Sequence, residues 1–152
     1  MSPSDQGKET CGMVPLKLPC ETRPERPVPL SAADTGYLNH LRFQSMSCRT
    51  KPRANLFEAC ALLQVSRDAS REAHAEALMR CLSEALGQPA RLHAPGSGEL
   101  TFDEMWLLQL GRALVQDDGA SVSFLLERRV RREHQRLVRF LVGRIAECFA
   151  LN

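Results

Sequence analysis

Apolar residues recur at helical spacing along most of this chain, and the pattern is clearest toward its end. At about 100° per residue, Leu126, Val130, His134, Leu137, Leu141, Ile145 and Cys148 share one side of the stretch from Ser121 to Ala150. Arg128, Arg132, Arg136 and Arg139 fall roughly opposite. The spacing predicts one long helix with a core face and a cationic ridge.

The preceding segments read the same way. Thr101 and Glu104 stand at capping-box spacing, with Leu100 and Met105 placed for a hydrophobic staple. The helix they open, Phe102 to about Gln116, is apolar over much of its circumference and is expected at the centre, with the turn Asp117-Asp118-Gly119 after it. From about Ala69 to Leu86, Ala75, Leu78, Leu82 and Ala85 keep the i, i+3, i+4 spacing, and Gly87 followed by Pro89 marks the stop. Asn55 caps a short helix with Leu56, Phe57, Cys60 and Leu63 on one side. Ser31 caps another that carries Tyr37, Leu38, Leu41 and Phe43 toward the body and ends before Pro52. Pro95-Gly96-Ser97-Gly98 reads as part of a linker, and no period-two alternation persists. The fold class expected is all-α: a small bundle or orthogonal array of four to five helices over residues 31–152.

Composition adds an N-terminal arm and removes several function classes. Residues 1–30 hold six of the nine prolines and no sustained apolar period, so a disordered arm is expected there. Aromatic residues make up only 5%, which points to a core of Leu, Ala and Val packed as helices. The six cysteines follow no secretory apolar block and contain no Cys-x-x-Cys, so they read as reduced thiols of a cytoplasmic protein. No apolar run is long enough to span a membrane.

Glu58-Ala59-Cys60-Ala61-Leu62-Leu63-Gln64-Val65-Ser66-Arg67 resembles the first helix and turn of bacterial helix-turn-helix proteins. It departs from them at Gln64, where glycine is usual, and at Ser70, where an aliphatic residue packs inward. The resemblance implies a DNA-binding regulator. Arg67, Ser70, Arg71 and His74 would then lie on the exposed side of the second helix, facing bases or phosphates.

The formal net charge is only +2, but Arg128, Arg129, Arg131, Arg132, Arg136 and Arg139 lie within a dozen positions. The i, i+4 pairs Glu127–Arg131 and Arg129–Glu133 offset part of that charge, and no aromatic platform is read between the arginines. A solvated face or a docking surface for an acidic partner therefore ranks above phosphate contact. His134 reads as a core histidine hydrogen-bonded across the bundle. No Gly-x-Ser-x-Gly, metal-ligand pair or phosphate-binding glycine loop is present, so neither an enzyme nor a cofactor is expected. The expected function is a non-enzymatic regulator or adaptor acting by protein contact through Arg128, Arg132, Arg136 and Arg139. The apolar breadth of Phe102 to Val115 also leaves room for a patch covered by another protein or a second copy.

Overall fold

The computed structural model describes residues 29–52, 57, 58, 61 and 71–152. The proline-rich arm up to residue 28, most of the short helix after Asn55, and Ser66 to Ser70 lie outside the described residues. Among those described there are five α-helices and no strand.

Helix α1 (Ala32–Ser47) starts at a capping box. Ser31 Oγ accepts from Asp34 N at 3.1 Å, and Asp34 Oδ2 accepts from Ser31 N at 2.9 Å, so two end amides that the helix leaves orphaned are satisfied. Its buried residues are Asp34, Tyr37, Leu38, Leu41 and Arg42. That spacing defines one helical face, and Phe43 falls nearly opposite its centre. Phe43 is accordingly exposed, and the inward place that hydropathy assigned to it belongs to Arg42. Phe57, the described member of the apolar side of the short helix, is also exposed.

Helix α2 (Arg71–Leu86) buries the expected Ala75, Leu78, Leu82 and Ala85, together with His74, Ala77 and Cys81. It ends at Gly87, whose φ of +69° is a conformation that a side chain would strain. The connection to α3 (Phe102–Val115) is polar and rich in glycine and proline, yet it is held closely. Glu104 and Asp103 on the first turn of α3 accept backbone N–H groups from His93 at 2.9 Å and Arg91 at 2.7 Å. The expected capping box is present: Thr101 Oγ1 accepts from Glu104 N, and Glu104 Oε2 accepts from Thr101 N.

Helix α4 (Gly119–Arg129) returns antiparallel along α3. Trp106 Nε1 donates to Leu125 O at 3.0 Å, and Arg129 pairs with Asp103 at 2.6 Å. The helix does not continue to the end of the chain. Val130 (φ −106°, ψ 131°) and Arg131 (φ −57°, ψ 140°) are extended, Arg132–His134 form one 3₁₀ turn, and α5 (Gln135–Glu147) sets off in a new direction.

The single helix expected from Ser121 to Ala150 is therefore two helices joined by a corner. A continuous helix of that length would reach about 45 Å, beyond the roughly 30 Å width of a small domain. Arg131 N donates instead to Ala85 O at 2.9 Å, which ties the corner to the end of α2, and Gln135 Nε2 donates to Val130 O at 3.1 Å.

Helix α5 runs antiparallel to α2 and crosses α3. Gly111 permits that crossing: a β-carbon there would lie 3.0 Å from Leu151 and 3.4 Å from Ala146. Leu151, fully buried, anchors the last residues. Tyr37 Oη donates to Leu107 O at 3.1 Å, fastening α1 to α3. Two more ion pairs join the same helices, Arg42–Glu104 at 2.7 Å and Arg112–Asp34 at 2.6 Å.

Candidate protein-contact surface

The corner decides how the arginines are displayed. Arg128 ends α4, Arg131 and Arg132 occupy the bend, and Arg136 and Arg139 lie on the first two turns of α5. All five are exposed. None has a carboxylate within 4 Å among the described residues.

Because the chain leaves the helix at Val130, the expected i, i+4 pairs do not form. Arg129 turns to Asp103 instead, with its guanidinium 4.7 Å from the Phe102 ring centre and 5.5 Å from that of Trp106. Arg131 lies against Gly87, its Nη2 3.2 Å from where a β-carbon would sit. The i, i+4 ion pairs read from the sequence, Glu127–Arg131 and Arg129–Glu133, are absent among the described residues.

Exposed aromatic rings adjoin the cations, contrary to expectation. The Arg128 guanidinium lies 5.0 Å from the centre of the Phe124 ring. Phe140, beside Arg139 and one turn from Arg136, is half-exposed and touches His74, with ring centres 5.8 Å apart. On α3, which the sequence left room to expose, Phe102 is 71% exposed, Met105 44% and Val115 37%, whereas Trp106, Leu107, Leu108, Leu110 and Ala113 are buried.

The face proposed for DNA is not assembled as the resemblance implied. Arg67 and Ser70 lie outside the described residues. Arg71 is exposed but rests over the Phe149 ring at 5.1 Å, with Glu72 at 3.5 Å. His74 is buried rather than exposed, because α5 packs along that side of α2 and sets Phe140 against it.

His134 also departs from its expected role. Its ring is buried, and neither nitrogen has a hydrogen-bond partner. Glu84 Oε1 lies 3.7 Å from Nε2 and Glu133 Oε1 lies 3.9 Å from Nδ1, both beyond hydrogen-bond length. Burial pushes the His40 imidazole below its ordinary pKa, although a carboxylate at Glu72 opposes this. Among the described residues no three His, Cys, Asp or Glu side chains are grouped to hold a metal ion.

Sequence reasoning missed the charged ties inside the fold. Arg42 is 3% exposed and Glu104 fully buried, with Arg42 also donating to Ser97 O at 2.8 Å and Glu99 O at 2.9 Å. Their role is to fix the connection before α3. The capping-box position of Glu104 was a visible signal, whereas nothing in the local pattern marked Arg42.

No protein-family model, no curated protein and no solved structure matches this chain. Among the described residues no helix is long and apolar enough to cross a membrane.

Proposed function

We propose that the chain is a cytoplasmic, non-enzymatic helical adaptor or regulator that binds an acidic protein surface through Arg128, Arg132, Arg136 and Arg139. The supporting observation is the exposure of these four side chains without a carboxylate partner among the described residues. Guanidinium groups in that state have donors free for bidentate bonds to carboxylates and are weakly hydrated, so little is lost when a partner covers them. DNA recognition by α2 loses one of its four reading residues, since His74 is buried.

The test is charge reversal. Arg132→Glu combined with Arg136→Glu should leave the helical circular-dichroism signal unchanged and weaken binding to a fluorescein-labelled Glu-rich peptide by about tenfold or more. Unchanged binding by the reversed variant would refute the assignment of the arginines. Tighter binding of a specific over a random DNA duplex at physiological salt would replace the protein partner with nucleic acid.

A further inference from the structure

The antiparallel pair α3–α4 leaves a furrow on its outer side. Along α3, Phe102, Met105 and Gln109 recur at helical spacing and are exposed, and along α4 the exposed Phe124 and Arg128 do the same. Between the helices, toward the α3–α4 turn, lies an open cleft of about 510 Å³ with Gln109, Arg112, Ala113, Gln116, Phe124 and Leu125 among its walls; Phe102, Met105 and Arg128 lie outside that cleft and continue the line of the same helix faces toward the corner. The two ends differ in charge. At one, by the α3–α4 turn, Asp118 is exposed and Arg112 is paired with Asp34 at 2.6 Å; at the other are Arg128 and the arginines of the corner, which have no carboxylate within 4 Å among the described residues. Both aromatic rims carry cations on their faces, Arg128 on Phe124 and Arg129 on Phe102.

We infer that this furrow receives the apolar side of an amphipathic helix from the partner protein, oriented with its carboxylates toward Arg128 and the corner. The inference rests on the acidic-partner reading above and adds the shape of what binds.

Three observations select this occupant. The exposed α3 stripe of Phe102, Met105 and Gln109 extends over about two turns, the length over which a helix presents anchors at i, i+3, i+4 and i+7. Exposed Phe and Met side chains beside guanidinium groups match a ligand that is apolar on one stripe and acidic next to it. A nucleic-acid strand fits less well, because Asp118 would repel phosphate at the far end.

The experiment uses the full chain and two labelled peptides of identical Leu, Ala and Glu composition. One is patterned so that leucines share a helical stripe and glutamates gather at one end, and the other is scrambled. Fluorescence anisotropy should show the patterned peptide binding about tenfold more tightly than the scrambled one. Phe124→Ser and Met105→Gln should each remove much of that difference while leaving the circular-dichroism spectrum and the scrambled-peptide affinity unchanged. Equal binding of the two peptides, unaffected by Phe124→Ser, would overturn the furrow and leave the arginine reading standing. Binding of neither peptide would overturn both. A dimer in sedimentation velocity that Phe124→Ser dissociates would assign the furrow to a second copy, and tighter binding of oligothymidylate that Phe124→Ser weakens would assign it to nucleic acid. Either result refutes the inference.

Discussion

Glu104→Gln removes a single charge and almost no volume, yet it should be among the most damaging substitutions in the chain. The carboxylate accepts from Arg42 Nε at 2.7 Å, Arg42 Nη2 at 3.2 Å, His93 N at 2.9 Å and Thr101 N at 2.8 Å. Every neighbour is a donor. A glutamine can keep its carbonyl oxygen toward Arg42 Nε and His93 N, but its amide then points N–H groups at the other two donors. Arg42 is left as a buried cation with the neutral glutamine oxygen, two backbone carbonyls and Asn39 as its acceptors.

Breaking one partner of a buried ion pair costs about 3–5 kcal/mol, a large share of the roughly 5–15 kcal/mol that holds a domain folded. For a domain of this size that corresponds to a fall in Tm of about 10–20 °C. Removing both charges with Arg42→Met and Glu104→Met should recover only part of the loss, since the His93 and Thr101 amides would remain without acceptors at about 1–3 kcal/mol each. Urea unfolding followed by far-ultraviolet circular dichroism measures these differences, provided the slope with denaturant is unchanged. Glu147→Gln is the control, because its pair with Arg144 at 3.0 Å is exposed and worth less than about 1 kcal/mol. If Glu104→Gln lost no more than that control, the buried pair would not be what holds the connection to α3.

Acid should act on the same ties. Burial alone would raise the Asp34 carboxyl, but hydrogen bonds from Arg112 and Ser31 outweigh it and hold the group below its ordinary range; Glu104 is held down likewise against burial by Arg42, Thr101 N and His93 N. A carboxylate whose folded pKa is depressed contributes stability that is present above its unfolded value of about 4 and is lost as pH falls through the folded value. The urea midpoint should therefore begin to fall as pH drops below about 5 and keep falling in stronger acid, and a midpoint that held constant or rose there would contradict the linkage. His134→Leu should leave the Tm unchanged or raise it by a few degrees, since it replaces a buried ring with two unpartnered nitrogens by an apolar group of similar size. A clear drop in differential scanning calorimetry would mean that Glu84 and Glu133 stabilise the imidazole at their present distances.

Much of the fold was legible because the elements announce their own ends. Ser31, Thr101 with Glu104, and Gly87 before Pro89 are local chemical signals that the structure uses as caps or a stop, while Asp118, read as part of a turn before a helix from Ser121, caps a helix that starts at Gly119. The corner at Val130 carries no such mark. No Pro or Gly sits there, and the apolar period runs through it unbroken because Leu126, Val130, His134 and Leu137 all remain buried on both sides of the bend. Periodicity reports which residues face inward. It does not report the axis about which they do so, and two short helices that share a core satisfy the same pattern as one long helix.

The same ambiguity governed the candidate surface. Exposure of Arg128, Arg132, Arg136 and Arg139 followed from the pattern, but their charge balance depended on backbone direction, which the pattern leaves open. On a straight helix, Glu127 and Glu133 would each stand one turn from an arginine and blunt the ridge. Once Arg131 N bonds to Ala85 O, the turn that would bring those pairs together no longer exists, and Arg129 is drawn inward to Asp103. The bend therefore has two effects that are physically one. It shortens a helix that would outrun the core, and it leaves five guanidinium groups exposed with no carboxylate within 4 Å among the described residues. Exposed like charges crowded at a corner destabilise the free protein through their mutual repulsion. On the proposed function, a partner that brings carboxylates would relieve that repulsion as it binds, so raising the salt concentration, which screens both effects, should weaken the association.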